Sequence, residues 1–424
     1  MRREDNEKLT RTGPGTPMGE MLRQYWVPIA HASALERDGA PLKITLFSQE
    51  FVAFRATDGR VGLIDEACPH RGVSMALGRN EENGLRCISH GWKRDVTGSV
   101  VDAPCEPADH REQFCKNIRV NRYPVRESAG AIWAYLGKGE PPSFPDFEFT
   151  RLPANQLVMR RAVVPYNWLQ GVEAHVDSSH VPFLHRGFVV QQSSGIDPAI
   201  REGLAKMLEN TAPRFETDDT PYGLREGALR DLENGQTYVR IREMVLPFYT
   251  FIPGAIKGAC HGRIIVPIDD RTSAEWYVLY DPWGPLGADE IHSMFMNSAD
   301  DPNNFSANMG GPENMWGQDR KAMKEGHYSG LTKNIPFEDF IVQASMGSLI
   351  DRDDEQLGKA DIILITVRRK LLEAVKKFER GEGVSWRGDF NYDLIRSRAV
   401  CFDPAATSWR DLSWRSDVAT DKAA

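Results

Sequence analysis

The sequence predicts an α+β protein in which a small antiparallel β domain precedes a larger mixed domain. Three observations predict it. From Leu42 the apolar residues come in short β-rich runs, Lys43–Phe47, Glu50–Phe54 and Val61–Ile64, with Asp58-Gly59 as a hairpin turn. A proline-rich stretch, Glu140–Phe147, breaks the pattern near residue 150. Beyond it helical and β-like segments mix without internal repeat, and 41% apolar residues in a chain of 424 suffice for more than one core.

Residues 1–37 hold one short helical pattern, Gly19–Tyr25, ahead of Trp26-Val-Pro. They are too few to fold alone and are expected to pack on the larger domain. Residues 38–150 form the β domain, with further strands at Ile118–Tyr123 and Ala131–Tyr135. Residues 151–424 form the mixed domain: a helix around Asn167–His180 and strands at Thr237–Arg242, Gly262–Pro267 and Glu275–Leu279. Gln191–Ile196 and Asp281–Ala299 read as loops, and Ala299–Gly330, rich in Asn, Gly and Met, as a long surface or lid segment. The strongest helix is Asp361–Glu379, with Ile362, Ile365, Leu371, Leu372, Val375 and Phe378 as its apolar face and Asp361 as its N-cap.

A net charge of −8 gives no reason to expect nucleic acid or an anionic membrane as partner. The first residues, Met1–Glu7, lack the apolar core of a secretory leader, and apolar runs such as Ile362–Val367 are far too short to span a bilayer. A cytoplasmic protein is expected. Six cysteines are too few for a disulfide scaffold, so Cys105, Cys115, Cys260 and Cys401 read as free thiols.

The other two cysteines belong to a motif. Cys68-Pro-His70 and Cys87-Ile-Ser-His90 each bring one thiol and one imidazole from a short loop. Such a set could hold zinc. One Cys and one His from each half suit better a [2Fe–2S] centre with two thiolates on one iron and two imidazoles on the other; Pro69 and Gly72 keep the first loop tight, so that its N–H groups can point at the sulfides.

A second constellation lies a hundred residues on. Asp177, His180 and His185 form a D-x2-H-x4-H pattern. On a helix Glu173, Asp177 and His180 share one stripe, whereas His185 swings away. Pro182 is expected to end the helix near His180, so that His185 returns from the following turn. Two histidines and one carboxylate on one face of an iron leave positions open for dioxygen and substrate.

Together with Arg71-Gly72 and Gly91-Trp92, the first motif resembles the Rieske signature. Arg3–Gly19, Arg23–Pro28, Met244–Thr250 and Ser345–Gly358 are similar to the phthalate 4,5-dioxygenase group of Rieske non-haem iron ring-hydroxylating oxygenases, a group that includes aryl O-demethylases. The resemblance spans almost the whole chain and implies the large (alpha) subunit. It implies a Rieske domain and a helix-grip (START-like) catalytic domain with a curved antiparallel sheet. Cys68, His70, Cys87 and His90 would be the cluster ligands. His180 and His185 would bind a mononuclear Fe(II), with Asp339 as third ligand and Asp351, Asp353 and Asp354 as its rivals. The matching acid to Asp177 bridges a ligating histidine and a cluster histidine of a neighbouring subunit, which calls for a homotrimer or stacked trimers.

Electrons would come from NAD(P)H through a reductase and, in some systems, a ferredoxin, with O2 as cosubstrate and an aromatic acid as substrate. The reaction would be dihydroxylation, or monooxygenation with loss of a methyl group as formaldehyde. Asn167, Gln170 and Glu173 are candidate pocket residues, and Arg240 and Arg242, taken to face opposite sides of a strand, would offer one cation to the substrate carboxylate. Glu338 reads as a solvated or supporting acid and His175 as a packing or surface residue. Two other classes compete: a Rieske electron carrier without catalysis, which the 270 or so residues after the first domain argue against, and a colourless zinc-stabilised interaction protein.

Overall fold

The computed structural model of the chain describes residues 1–187, 198–253, 260–295, 301–388 and 390–412. Two compact units emerge: a larger one of Met1–Thr10, Asp146–Ile265 and Arg271–Ala424, and a smaller one of Arg11–Pro145 with Val266–Asp270. The N-terminal segment is therefore shared. Helix α1 (Arg3–Thr10) joins the larger unit, where Trp168 Nε1 donates to Leu9 O at 2.9 Å. Residues from Arg11 on join the smaller one, contrary to the expectation for 1–37, because Trp26-Val-Pro belongs to a strand whose partner lies a hundred residues away.

In the smaller unit helix α2 (Pro17–Leu22) precedes strands β1 (Trp26–His31), β2 (Leu42–Leu46), β3 (Gln49–Arg55), β4 (Val61–Asp65), β5 (Arg79–Glu81), β6 (Gly84–Arg86), β7 (Lys93–Asp95) and β8 (Val100–Asp102). Helix α3 (Arg111–Asn117) and strands β9 (Val125–Ser128) and β10 (Ala131–Tyr135) complete it. Three antiparallel sheets run β1-β10-β9, β2-β3-β4 and β5-β6-β7-β8. Asp58-Gly59 turns between β3 and β4 as expected, with Gly59 at φ +89°. Ile118–Tyr123 is no strand. The pairing begins only after Pro124, and Asn121 and Tyr123 are spent on hydrogen bonds to Asp65. Val52, Phe54, Ile64, Met75, Leu85 and Trp92 pack with Cys68 and Cys87 into one core, so the sheets bury the two thiols.

The larger unit is built on an eight-stranded sheet. Its strands are β11 (Leu157–Val164), β12 (Arg214–Thr220), β13 (Gly223–Asp231), β14 (Thr237–Val245), β15 (Tyr249–Ile252), β16 (Cys260–Pro267), β17 (Ser273–Tyr280) and β18 (Arg398–Phe402). The order is β11-β17-β16-β15-β14-β13-β12, with β18 also pairing β14, and β11–β17, β12–β13, β13–β14, β14–β15, β15–β16 and β14–β18 pair antiparallel. The helices are α4 (Trp168–Val176), α5 (Val181–Leu184), α6 (Pro198–Glu209), α7 (Ala288–Phe295), α8 (Arg320–Lys324), α9 (Ile335–Ser345) and α10 (Ile362–Glu379). Helix α4 lies directly on the sheet: a Cβ at Gly171 would sit 1.9 Å from Ile265 Cδ1, so a larger residue would require the Ile265 side chain to move.

The α+β expectation holds, and several element expectations need correction. Asp281–Ala299 contains α7, whose Phe295 is buried. The described part of Ala299–Gly330 includes the short α8 and does not merely ride the surface, since Phe305 is buried against Tyr277 and Phe340. In α10 the buried face is Ile363, Val367, Leu371, Ala374 and Val375, while Ile362 is 46% and Ile365 42% exposed. Arg368, buried on that face, turns the helix away from its apparent apolar stripe, and Asp361 makes no side-chain cap bond. Gln191–Ile196 lies outside the described residues. No helix among the described residues is long and apolar enough to cross a membrane.

Candidate metal centres

In the smaller unit the two motif loops have the same backbone design. Cys68 N–H donates to Val73 O and Gly72 N–H to Cys68 O, at 2.8 and 2.9 Å; Cys87 N–H donates to Trp92 O and Gly91 N–H to Cys87 O, at 2.8 and 3.0 Å. Each tight loop closes on a glycine in the left-handed region, Gly72 at φ +78° and Gly91 at φ +76°. Cys68 and Cys87 are buried beside one another, and burial pushes the Cys68 thiol up while the N–H groups of His70 and Arg71 point at its sulfur. The imidazoles of His70 and His90 lie further out, ring centres 4.6 Å apart and nearly perpendicular. Trp92 stacks on His70 at 4.7 Å and fixes its plane.

In the larger unit, α4 opens on a capping box. Asn167 Oδ1 accepts from Leu169 N–H, and Asn167 N–H donates to Gln170 Oε1. The remaining amide groups go to Thr10 O from Asn167, and to Gln343 O and Gly347 O from Gln170. Both residues are fully buried in these roles, so neither is a pocket residue as expected. Glu173 is likewise consumed, receiving Arg352 from the turn after α9 and Arg368, which ties α4 to α10. His175 donates or accepts at Glu275 through Nε2 at 2.7 Å and is buried: packing, not surface.

The helix ends earlier than expected. Asp177 leaves α4 with ψ 121°, and His180 then heads the short turn of α5. Pro182 therefore starts a turn, where its missing N–H costs nothing, instead of ending one. The result brings His180 and His185 together, ring centres 5.2 Å apart.

Asp339, on α9, completes the group. Its Oδ1 lies 3.5 Å from His180 Nε2 and 3.2 Å from His185 Nε2, and one donor atom from each of the three residues lies within 4.8 Å of the others. Asn334, not Asp339, caps α9. Asp351, Asp353 and Asp354 are exposed, the first two facing Arg3, and the residue between them, Arg352, is the buried one. The opposite nitrogens of the imidazoles are also engaged: His180 Nδ1 with Asp177 Oδ2 at 3.2 Å, His185 Nδ1 with Glu338 Oε2 at 2.7 Å. Glu338 is fully buried and takes Ser329 Oγ on its other oxygen, so it is not solvated. A bonded Nδ1 fixes the tautomer and leaves both Nε2 atoms to share a cation with Asp339.

The electrostatics agree. Burial opposes the charge on Asp339, yet His185 and His180 hold its carboxyl well below the ordinary range. Burial likewise opposes a proton on His185, but Asp339 and Glu338 raise the imidazole to about 10. These residues fit a divalent cation bound by two nitrogens and one carboxylate. No other group of three or more such donors comes this close among the described residues. Cys68 and Cys87 lie together, as do the rings of His70 and His90, which suits two thiolates on one iron and two imidazoles on another.

Arg240 and Arg242, two apart on β14, share one face of the sheet and do not divide between two. Both terminal nitrogens of the buried Arg242 are engaged, by Glu226 at 3.1 Å and by backbone carbonyls, so it is no substrate cation. Arg240 Nη2 donates to Pro253 O at 3.5 Å. Two residues escaped sequence reasoning: His261 and Arg263, again two apart, on β16. His261 pairs Ile252 and Arg263 pairs Thr250 across β15, and the Arg263 guanidinium lies 3.6 Å over Tyr277. Burial, with Arg263 and Arg240 nearby, pushes His261 well below its usual pKa, so the ring is neutral. Arg263 has no acidic partner among the described residues, and Arg240 acts on Glu226 only through its charge, without an ion pair.

Comparison with known proteins follows from this geometry. Residues 25–124 match the family model described as Rieske [2Fe-2S] domain, and residues 134–423 that described as LigXa C-terminal domain like. The chain is 35% identical, over 97% of its length and 93% of the relative's, to the phthalate 4,5-dioxygenase oxygenase subunit of Pseudomonas putida. It is 32% identical to the 5,5'-dehydrodivanillate O-demethylase oxygenase subunit of Sphingobium sp. (strain NBRC 103272 / SYK-6), over 89% of this chain and 81% of that one. In fold it is similar to Pseudomonas putida CBB5 NdmA with caffeine, with a TM-score of 0.59 at 19% identity, covering 85% of this chain and 93% of that chain.

Proposed function

Since the chain belongs to the Rieske non-haem iron oxygenases, as an oxygenase subunit of the phthalate 4,5-dioxygenase-like group, we propose that it oxidises an aromatic carboxylate with O2. Its electrons come from NAD(P)H through a reductase, directly or by way of a ferredoxin, and its place is the cytoplasm, where six unpaired cysteines are stable. The observation that carries the reading is the convergence of His180, His185 and Asp339, each imidazole backed by its own carboxylate. Residues 38–150 provide Cys68, His70, Cys87 and His90 for the [2Fe–2S] cluster, and residues 151–424 provide the triad for Fe(II). When bound, the cluster supplies single electrons and the ferrous ion a position at which O2 is activated.

The chain's own residues do the rest. Asp177 and Glu338 hold the two imidazoles with Nε2 facing inward. Arg240, His261 and Arg263 bind the substrate carboxylate: two guanidinium groups that form no ion pair among the described residues, and a neutral ring that adds no charge of its own. Replacing Arg263 or Arg240 by glutamine is expected to raise KM for an aromatic acid by about 30-fold, the loss of one charged hydrogen bond of about 2 kcal/mol, with the cluster spectrum unchanged. A KM that stays put would remove the pair from the substrate site.

Asp177 is 28% exposed at its side chain, which leaves it open to a cluster histidine of a neighbouring subunit in a homotrimer or stacked trimers. Co-expression tests this. Cys87→Ser and Asp339→Ala subunits, each inactive alone, are expected to regain activity when mixed, and no recovery would exclude transfer between subunits.

The experiment for the function itself is reduced enzyme with a panel of phthalate-like and methoxybenzoate-like acids. A dihydrodiol identifies ring dihydroxylation; formaldehyde identifies O-demethylation, the second reading, which the 32% identical O-demethylase relative favours. Failure of every acid to be oxidised, with both metals present, would leave only an electron carrier.

A further inference from the structure

The substrate role expected for Arg242 is excluded by its contacts, and those contacts point elsewhere. Its Nη1 donates to Val176 O at 2.9 Å and its Nη2 to Asp177 O at 3.0 Å. On the neighbouring strand β13, Arg230 Nη2 donates to Ser178 O at 2.9 Å. Three successive carbonyls, at the end of α4 and in the turn beyond it, are thus held by two buried guanidinium groups rooted in the sheet. Carbonyls at a helix C-terminus lack intrahelical partners and attract cations, so both arginines sit where the backbone needs them. Glu226, opposite Arg242 in the β13–β14 register, holds the Arg242 fork in place.

The turn they hold is the one that carries Asp177 to His180. Ser179 N–H donates to Asp177 Oδ1 at 2.6 Å, and Asp177 Oδ2 meets His180 Nδ1. A shift of the Val176–Ser178 backbone would therefore move the Asp177 carboxylate off the imidazole without touching a metal ligand.

We propose that Arg242 and Arg230, with Glu226 behind them, are positioning residues that clamp the Val176–Ser178 carbonyls and thereby keep Asp177 on His180. The clamp rests on the reading of Asp177 as the group through which electrons reach the iron site. It assigns these arginines to coupling, in contrast to Arg240 and Arg263, which serve the substrate.

The test uses purified, metal-loaded R242K, R230Q and D177N enzymes. Lysine keeps the charge opposite Glu226 but loses the planar fork that reaches two carbonyls. Amide exchange of a peptide spanning residues 174–183 is expected to quicken in R242K while peptides from β13 and β14 exchange as in the parent. In stopped flow, reoxidation of the reduced cluster by O2 with substrate bound is expected to slow by at least about tenfold, and more of the O2 to leave as peroxide, with substrate Kd unchanged. If R242K does not fold, R230Q, which loses one carbonyl bond and keeps the Glu226 pair, is read in the same way. Unchanged peptide exchange, or reoxidation within about twofold of the parent while D177N is slow, overturns the clamp. Should D177N itself reoxidise at the parent rate, the reading of Asp177 fails instead.

Discussion

Asp339→Ala is expected to lower turnover by more than about 100-fold while leaving the visible and EPR signals of the cluster as they are. Among the described residues, the close donor group that includes both imidazoles has Asp339 as its only carboxylate. Glu338, its neighbour in the chain, cannot take its place, because one oxygen is committed to His185 Nδ1 and the other to Ser329 Oγ. Without Asp339 two imidazoles remain, too few to retain ferrous iron against washing. Iron analysis beside the activity assay checks this: the variant should lose the mononuclear iron and keep the cluster's. Full iron and full turnover in Asp339→Ala would return the third-ligand role to Asp351, Asp353 or Asp354, despite their exposure.

Asp177→Asn is the second large effect. The amide matches the carboxylate in shape and can still accept from Ser179 N–H, so the turn should keep its form. What disappears is the charge. Burial opposes that charge, but His180 and the Ser179 N–H outweigh it and hold Asp177 below the usual carboxylate range. An amide leaves His180 Nδ1 with a weaker partner, and loss of such a supporting carboxylate costs 10 to 100-fold in comparable sites. Product formation is expected to fall by about 100-fold with both metals retained, because none of the three ligands is changed. A variant that keeps more than about half the activity would reduce Asp177 to an ordinary cap of α4.

What could be read from the sequence was what is local in the sequence. Each cluster loop sets its ligands within five residues and closes on its own glycine, so Cys68–Gly72 and Cys87–Gly91 carry their geometry in their spelling. His180 and His185 are nearly as local. Asp339, more than 150 residues on, came from resemblance and not from spacing, and its neighbour Glu338 gave no sign of being buried against His185. The same limit explains the residues misread. An Asn-x-x-Gln start is spelled alike whether it lines a pocket or caps a helix, and only the partners of Asn167 and Gln170 decide. Arg242 and Arg240 share a strand face, yet only the first is hydrogen-bonded to Glu226, because β13 presents Glu226 opposite the first and Ala228 opposite the second. His261 and Arg263 went unnoticed because a strand of eight buried residues reads as core, and their chemistry depends on Tyr277 and Arg240 from other strands. Arg368 shows the reverse: a polar residue does not register in an apolar stripe, yet here it is buried on the α10 face.

Iron and acid-labile sulfide counted in the same sample, for the parent and for a His180→Ala, His185→Ala variant, bear most directly on the account. It predicts about three irons and about two sulfides per chain in the red-brown parent, falling to about two irons with sulfide and colour retained in the variant. A parent without acid-labile sulfide, or a variant that keeps all its iron, would contradict it.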